Sequence, residues 1–173
     1  MNIDSKERYG RISKFFHWST TVLIFWQLLK FTDRISDGKH WIGQTLVPWH
    51  VSIGVLLLIL VVLRLMWVAS QRHQRPVHEP ITAKLVIAGH GLLYACMLLL
   101  PLAGIMIMIG GGYGLTAFGF DIFAEGEKVA WAATLGQLHA PLAWMLTALI
   151  IGHTAMALYH HYIKKDNTLK RML

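Results

Sequence analysis

The sequence predicts an all-α integral membrane protein, a four-helix bundle with both termini on the cytoplasmic side. Three observations predict it. Hydrophobic residues make up 55% of the 173 positions and charged residues only 14%, with a mean hydropathy of +0.48, which is foreign to ordinary soluble domains. Four apolar stretches approach the roughly 20 residues that a spanning helix needs. The basic residues gather in the connections on one side of those stretches. By length the chain, residues 1–173, is a single domain.

The first span is expected over 15–31, where Thr20, Thr21 and Gln27 dilute the apolar run. A basic start followed by an apolar run also imitates a signal peptide, but no small-residue cleavage site follows Phe31, so this span is read as retained. The second is expected over 47–69 and the third over 85–109. Between the third and fourth lies "GGGYGLTAFGFDIFAEGEKVAW", a glycine-rich and aromatic connection. It is expected to fold back on the outer surface with a short interfacial helix; a plain connector is the alternative. The fourth span is expected over 138–162.

Charge sets the orientation. The N-terminal segment carries Lys6, Arg8, Arg11 and Lys14; the second connection carries Arg72, Arg75 and Lys84; the tail carries Lys164, Lys165, Lys170 and Arg171. The other two connections hold Lys30, Arg34, Lys39 and Lys128 beside Asp33, Asp37, Asp121, Glu125 and Glu127. Both termini are therefore expected in the cytoplasm. The net charge of +7 follows this membrane pattern and is not spread over one face, which argues against nucleic acid as a partner. The single cysteine, Cys96, excludes a disulfide framework, a thiolate zinc site and covalent haem attachment.

Polar side chains inside a bilayer are costly and usually face the bundle interior. His139 and His153 lie 14 residues apart on the fourth span. That is close to four helical turns, so both rings face one way, about 21 Å apart along the axis. His17, near the cytoplasmic end of the first span, matches His153 in depth. His50, at the outer end of the second, matches His139. Two histidines facing each other across a bundle can ligate a haem iron axially, and Gly54, Ala140 and Gly152 leave room for a flat macrocycle. The pairs His17/His153 and His50/His139 are thus expected to hold two non-covalent b haems.

A lone histidine at a helix end is commonly an interfacial residue, but four of them in two depth-matched pairs call for more. Zinc, which takes four ligands around one point, fits such separated pairs poorly. His40, His73 and His78 fall in connections and are expected to be solvated. His90, at the start of the third span, is the alternative to His17. His160, two turns beyond His153, sits where a quinone headgroup would meet the inner haem, while His161 reads as an anchor beside Tyr159 and Tyr162. Arg64, 14 residues after His50, points the same way at the inner depth, where a haem propionate would pair with it. Snorkelling to the inner headgroups is its alternative.

The motifs "FHW" (16–18), "WH" (49–50), "LH" (138–139) and "GH" (152–153), with the tail "HHYIKKDNTLKRM" (160–172), resemble the bacterial cytochrome b561 family over nearly the whole chain. The resemblance implies a small di-haem b cytochrome of the inner membrane, with His17, His50, His139 and His153 as ligands. It further implies superoxide oxidation on the periplasmic side, with ubiquinone as electron acceptor near His160. The outer connections hold four Lys or Arg against five Asp or Glu, so they form no net positive funnel for superoxide, and only Lys30, Arg34 and Lys39 make a local basic patch. One rival reading is an electron-transfer or anchor subunit linking quinone to a partner dehydrogenase or reductase. Another, from a different class, is a histidine-lined metal or proton transporter.

Overall fold

The computed structural model describes residues 1–33, 39–76 and 80–173, with backbone alone for 80–82. Arg34, Asp37 and His78 lie outside the described residues. Four long helices dominate: α1 (Arg11–Leu28), α3 (His50–Ser70), α4 (Pro80–Gly111) and α6 (His139–Tyr162). Two short ones, α2 (Trp41–Thr45) and α5 (Ala130–Gly136), and a small hairpin fill the connections.

Among the described residues, three segments are long and apolar enough to cross a membrane: Val47–Ser70, Ala83–Gly111 and Ala130–Tyr162. The shortest, at 24 residues, extends about 36 Å as a helix, against a hydrocarbon core of about 30 Å. Few of the residues in these spans are buried within the chain. An apolar surface this extensive belongs against lipid, where helices satisfy their own backbone. Pro101 inside α4 removes one helical hydrogen bond without ending the helix.

The first helix differs from the other three. It starts earlier than the expected span, at Arg11, and tightens into a 3-10 turn over Leu29–Thr32. Arg11, Lys14, Thr20, Thr21 and Gln27 hold its hydropathy below theirs. Thr20 is buried, and its hydroxyl donates back to the carbonyls of Phe16 (2.7 Å) and His17 (2.9 Å).

All four long helices feed one core. Ile24 comes from α1, Cys96 and Met97 from α4, and Leu146 from α6. Ile53, Leu57 and Val61, spaced by four, line one face of α3.

The connection between α4 and α6 does more than fold back. Strands β1 (Leu115–Ala117) and β2 (Phe120–Phe123) pair antiparallel. Phe118 (φ +52°) and Gly119 (φ +82°) form the two-residue turn between them, with the double positive φ of a type I′ hairpin. Phe118 tolerates this because its N–H is held by the Ser52 hydroxyl (3.1 Å) and its ring lies 6.3 Å from that of Trp49. The hairpin is thereby clasped onto the first turn of α3. The short helix expected in this connection is α5, which runs into α6.

At the opposite end the two termini meet. Asp4, 2% exposed, accepts from Gly10 N–H (2.8 Å) and pairs with Arg75 (3.2 Å). Trp67 Nε1 donates to Ser13 Oγ at 2.8 Å. The tail returns along α1: Tyr9 N–H donates to the Arg171 carbonyl (3.2 Å), Trp18 Nε1 to that of Met172 (3.2 Å), and Lys14 Nζ to that of Leu173.

Candidate haem sites at the two ends of the bundle

His50 and His139 open α3 and α6, so both imidazoles are delivered to the hairpin end. Their ring centroids lie 6.0 Å apart, with planes 74° from parallel. His139 Nδ1 lies 3.0 Å from the Leu100 carbonyl. A carbonyl only accepts, so Nδ1 carries the proton and Nε2 keeps its lone pair. Gly104 makes this approach feasible, because a Cβ there would stand 3.2 Å from His139 Cε1. Gln27 Nε2 donates to the His50 carbonyl at 2.9 Å and ties α1 to the same place.

At the tail end, His17 on α1 and His153 on α6 have ring centroids 6.4 Å apart, at 57°. His90 from α4 also reaches this site, 5.4 Å from the His153 ring at 85°, with its Nδ1 2.7 Å from the Val86 carbonyl. Three imidazoles therefore gather here. Gly152 leaves clear space beside His153, since a Cβ there would meet nothing within 4 Å.

Arg64 points into this end from α3. It donates to Thr20 Oγ1 (2.8 Å), lies 3.2 Å from His17 Nδ1, and stands over the Tyr94 ring at 5.2 Å. A guanidinium has only donors, so His17 Nδ1 accepts and its proton sits on Nε2. This is the opposite tautomer from His139. Ligation through His17 Nε2 therefore requires Arg64 to release Nδ1 or the ring to give up its Nε2 proton.

The remaining histidines have other settings. His40, expected to be solvated, caps α2 instead: its Nδ1 accepts from Gly43 N–H (3.0 Å) and its Nε2 reaches the Thr32 carbonyl (3.1 Å). His73 is exposed beside Arg72. His161 stands edge-on to Tyr162. His160, in the last turn of α6, pairs with Asp166 at 2.5 Å, and that contact holds the Asp166 carboxyl well below the usual carboxylate range. Sequence reasoning missed Asp166, Tyr94, the Leu100 carbonyl and Gly104. None of these carries a periodicity that marks it, because each acts through a contact between elements.

The sequence profile of prokaryotic cytochrome b561 matches residues 8–173. The chain belongs to the prokaryotic cytochrome b561 family. It is 35% identical to cytochrome b561 homolog 2 of Escherichia coli K12, over 98% of this chain and 93% of that one. It is 29% identical to a Yersinia pestis protein named probable superoxide oxidase CybB, over 96% of each. It is 30% identical to a cytochrome b562 of Cereibacter sphaeroides, over 95% and 94%. The chain is thus a membrane electron-transfer protein, and its family implies haem b.

The cytochrome's own geometry can be tested against that group. Two imidazoles sharing one iron, with metal–nitrogen bonds of about 2.0 Å, have ring centres about 6 Å apart. The separations of 6.0 and 6.4 Å meet this, while the 5.4 Å of His90 and His153 is short for it. The His139–Leu100 contact has the form of the hydrogen bond that orients metal-ligating histidines in general, and it leaves Nε2 free. The residues fit haem most fully at the hairpin end.

Proposed function

We propose that this chain is a di-haem b cytochrome of the bacterial inner membrane that oxidises superoxide on the periplasmic side and reduces ubiquinone on the cytoplasmic side. On this reading α1 is a fourth span, both termini are cytoplasmic, and the hairpin end is periplasmic. The observation that carries it is two imidazole pairs with ring separations of 6.0 and 6.4 Å, built on His139 and His153 of the same helix, 14 residues apart.

Haem b supplies a one-electron carrier at each end, and the protein supplies position, access and charge. His50 and His139 would hold haem b at the periplasmic end, and His17 and His153 would hold it at the cytoplasmic end. Arg64 offers a bidentate cation to a haem propionate from its position beside Thr20 and His17. His160 is the group that meets the quinone.

Access for an anion is supported by a groove of about 490 Å³ beside His139, whose walls include Tyr113, Lys128 and Gln137. Lys128 is exposed there, whereas Lys30 of the expected basic patch is matched by Asp33 at 2.7 Å. The name of the Yersinia relative points to the same substrate. A second reading, an electron-transfer subunit serving a partner dehydrogenase or reductase, is favoured by the outer connections, where five acidic residues face four basic ones.

Stopped-flow mixing of the purified protein with a superoxide source, then with a ubiquinone analogue, separates the two. Haem reduction followed by quinone reduction without any partner supports the autonomous enzyme. Haem that stays inert to superoxide favours the subunit, and a preparation without b-type absorbance defeats both.

A further inference from the structure

The tail beyond α6 reads in the sequence as a topology signal, yet in the structure it is folded onto the functional end. Lys165 has φ +54°, a left-handed conformation that lysine adopts at a cost. That turn brings Asp166 back on α6. Its N–H donates to the His160 carbonyl at 3.1 Å, and its Oδ2 lies 2.5 Å from His160 Nδ1. Its other oxygen, Oδ1, accepts from Thr168 N–H at 2.8 Å, so the carboxylate is held from both sides.

The tail's far end is bonded to Tyr9, Lys14 and Trp18 of the N-terminal segment and α1, and the Trp18 ring lies 5.2 Å from that of His17. The tail thus forms a closed strap from His160 to the helix that carries His17. A histidine–carboxylate pair that keeps contact with solvent contributes little to stability. Strain next to a doubly held carboxylate is the pattern found at working sites.

We propose that Asp166 is the positioning residue of a proton-delivering dyad, holding His160 so that its Nε2–H faces the carbonyl oxygen of a quinone headgroup. This rests on the quinone reading given above. The carboxylate accepts from Nδ1–H and stabilises the imidazolium. As the quinone takes up electrons, the His160 Nε2–H bond breaks and a quinone O–H bond forms. The neutral ring left behind keeps Nδ1–H on Asp166. Water beside the 37%-exposed Asp166 side chain returns the proton. The balance is two superoxide ions oxidised to dioxygen, and one quinone taking two electrons and two protons to become the quinol.

The test uses the full-length, haem-loaded protein with a short-tailed ubiquinone analogue, comparing wild type, D166N, D166E and K14M. The expected result for D166N is a kcat for quinone reduction lowered about tenfold or more. Its KM should stay within about twofold, with an altered H2O/D2O isotope effect and with haem content and haem reduction by superoxide unchanged. D166E should retain most of the rate. K14M, which loosens the strap at Leu173 without touching the dyad, should turn over like wild type. Wild-type kcat and isotope effect in D166N overturn this proposal alone, as does equal slowing in D166N and K14M. A wild-type protein whose reduced haems are not reoxidised by quinone overturns the quinone reading and this proposal with it.

Discussion

His139 Nδ1–H donates a hydrogen bond to the Leu100 carbonyl at 3.0 Å, so α4 decides which nitrogen α6 presents toward His50. The contact joins residues 39 apart in sequence, and a Cβ at position 104 would press on the ring at 3.2 Å. The orientation of the His139 ring is therefore a property of the α4–α6 packing.

Gly104→Ala tests that packing. Its Cβ would lie 3.2 Å from His139 Cε1 and 3.3 Å from Nδ1. The ring must shift, at a cost of about 1–3 kcal/mol for overpacking. Haem content should fall from two toward one per chain, with the loss confined to the hairpin-end haem. A pyridine haemochrome assay with redox titration measures both.

Arg64→Met tests the charge at the other end. Removing a cation that touches His17 and Thr20 favours the oxidised, more positive iron. The midpoint potential of the haem proposed at the tail end should fall, by about 60 mV for each tenfold change in the equilibrium. The haem proposed at the hairpin end, beside His50 and His139, should keep its potential. Spectroelectrochemical titration resolves the two.

Much of the helical frame was legible because long apolar runs have few alternatives. The expected spans over 47–69 and 138–162 correspond to helices Val47–Ser70 and His139–Tyr162, and α4 extends the expected 85–109 to Pro80–Gly111. The place of each histidine along its helix also follows from counting turns. Contacts made between elements were not legible. Phe118-Gly119 is no standard hairpin signal, and Phe118 is tolerated only because Ser52 holds its N–H from α3. Arg64 was readable as a buried cation, but its partners Thr20, His17 and Tyr94 come from two other helices. The tail's strap joins residues some 150 positions apart, which no local pattern announces.

Lys165→Gly examines the strap's turn. At φ +54° glycine avoids the steric cost that lysine bears, about 1–2 kcal/mol, and loses part of that gain to backbone entropy. The variant should keep the Asp166–His160 contact and wild-type quinone turnover, with a melting temperature raised by about 1–3 °C. Thermal unfolding followed by haem absorbance checks it.

The most direct test of the central claim is haem stoichiometry by extraction from purified wild type, His139→Ala and His153→Ala. Two b haems per chain are expected in wild type and one in each variant. His139→Ala should lose the hairpin-end haem and His153→Ala the other, as told apart by their potentials. A wild type with fewer than two haems, or variants that fold yet lose both haems equally, would contradict it.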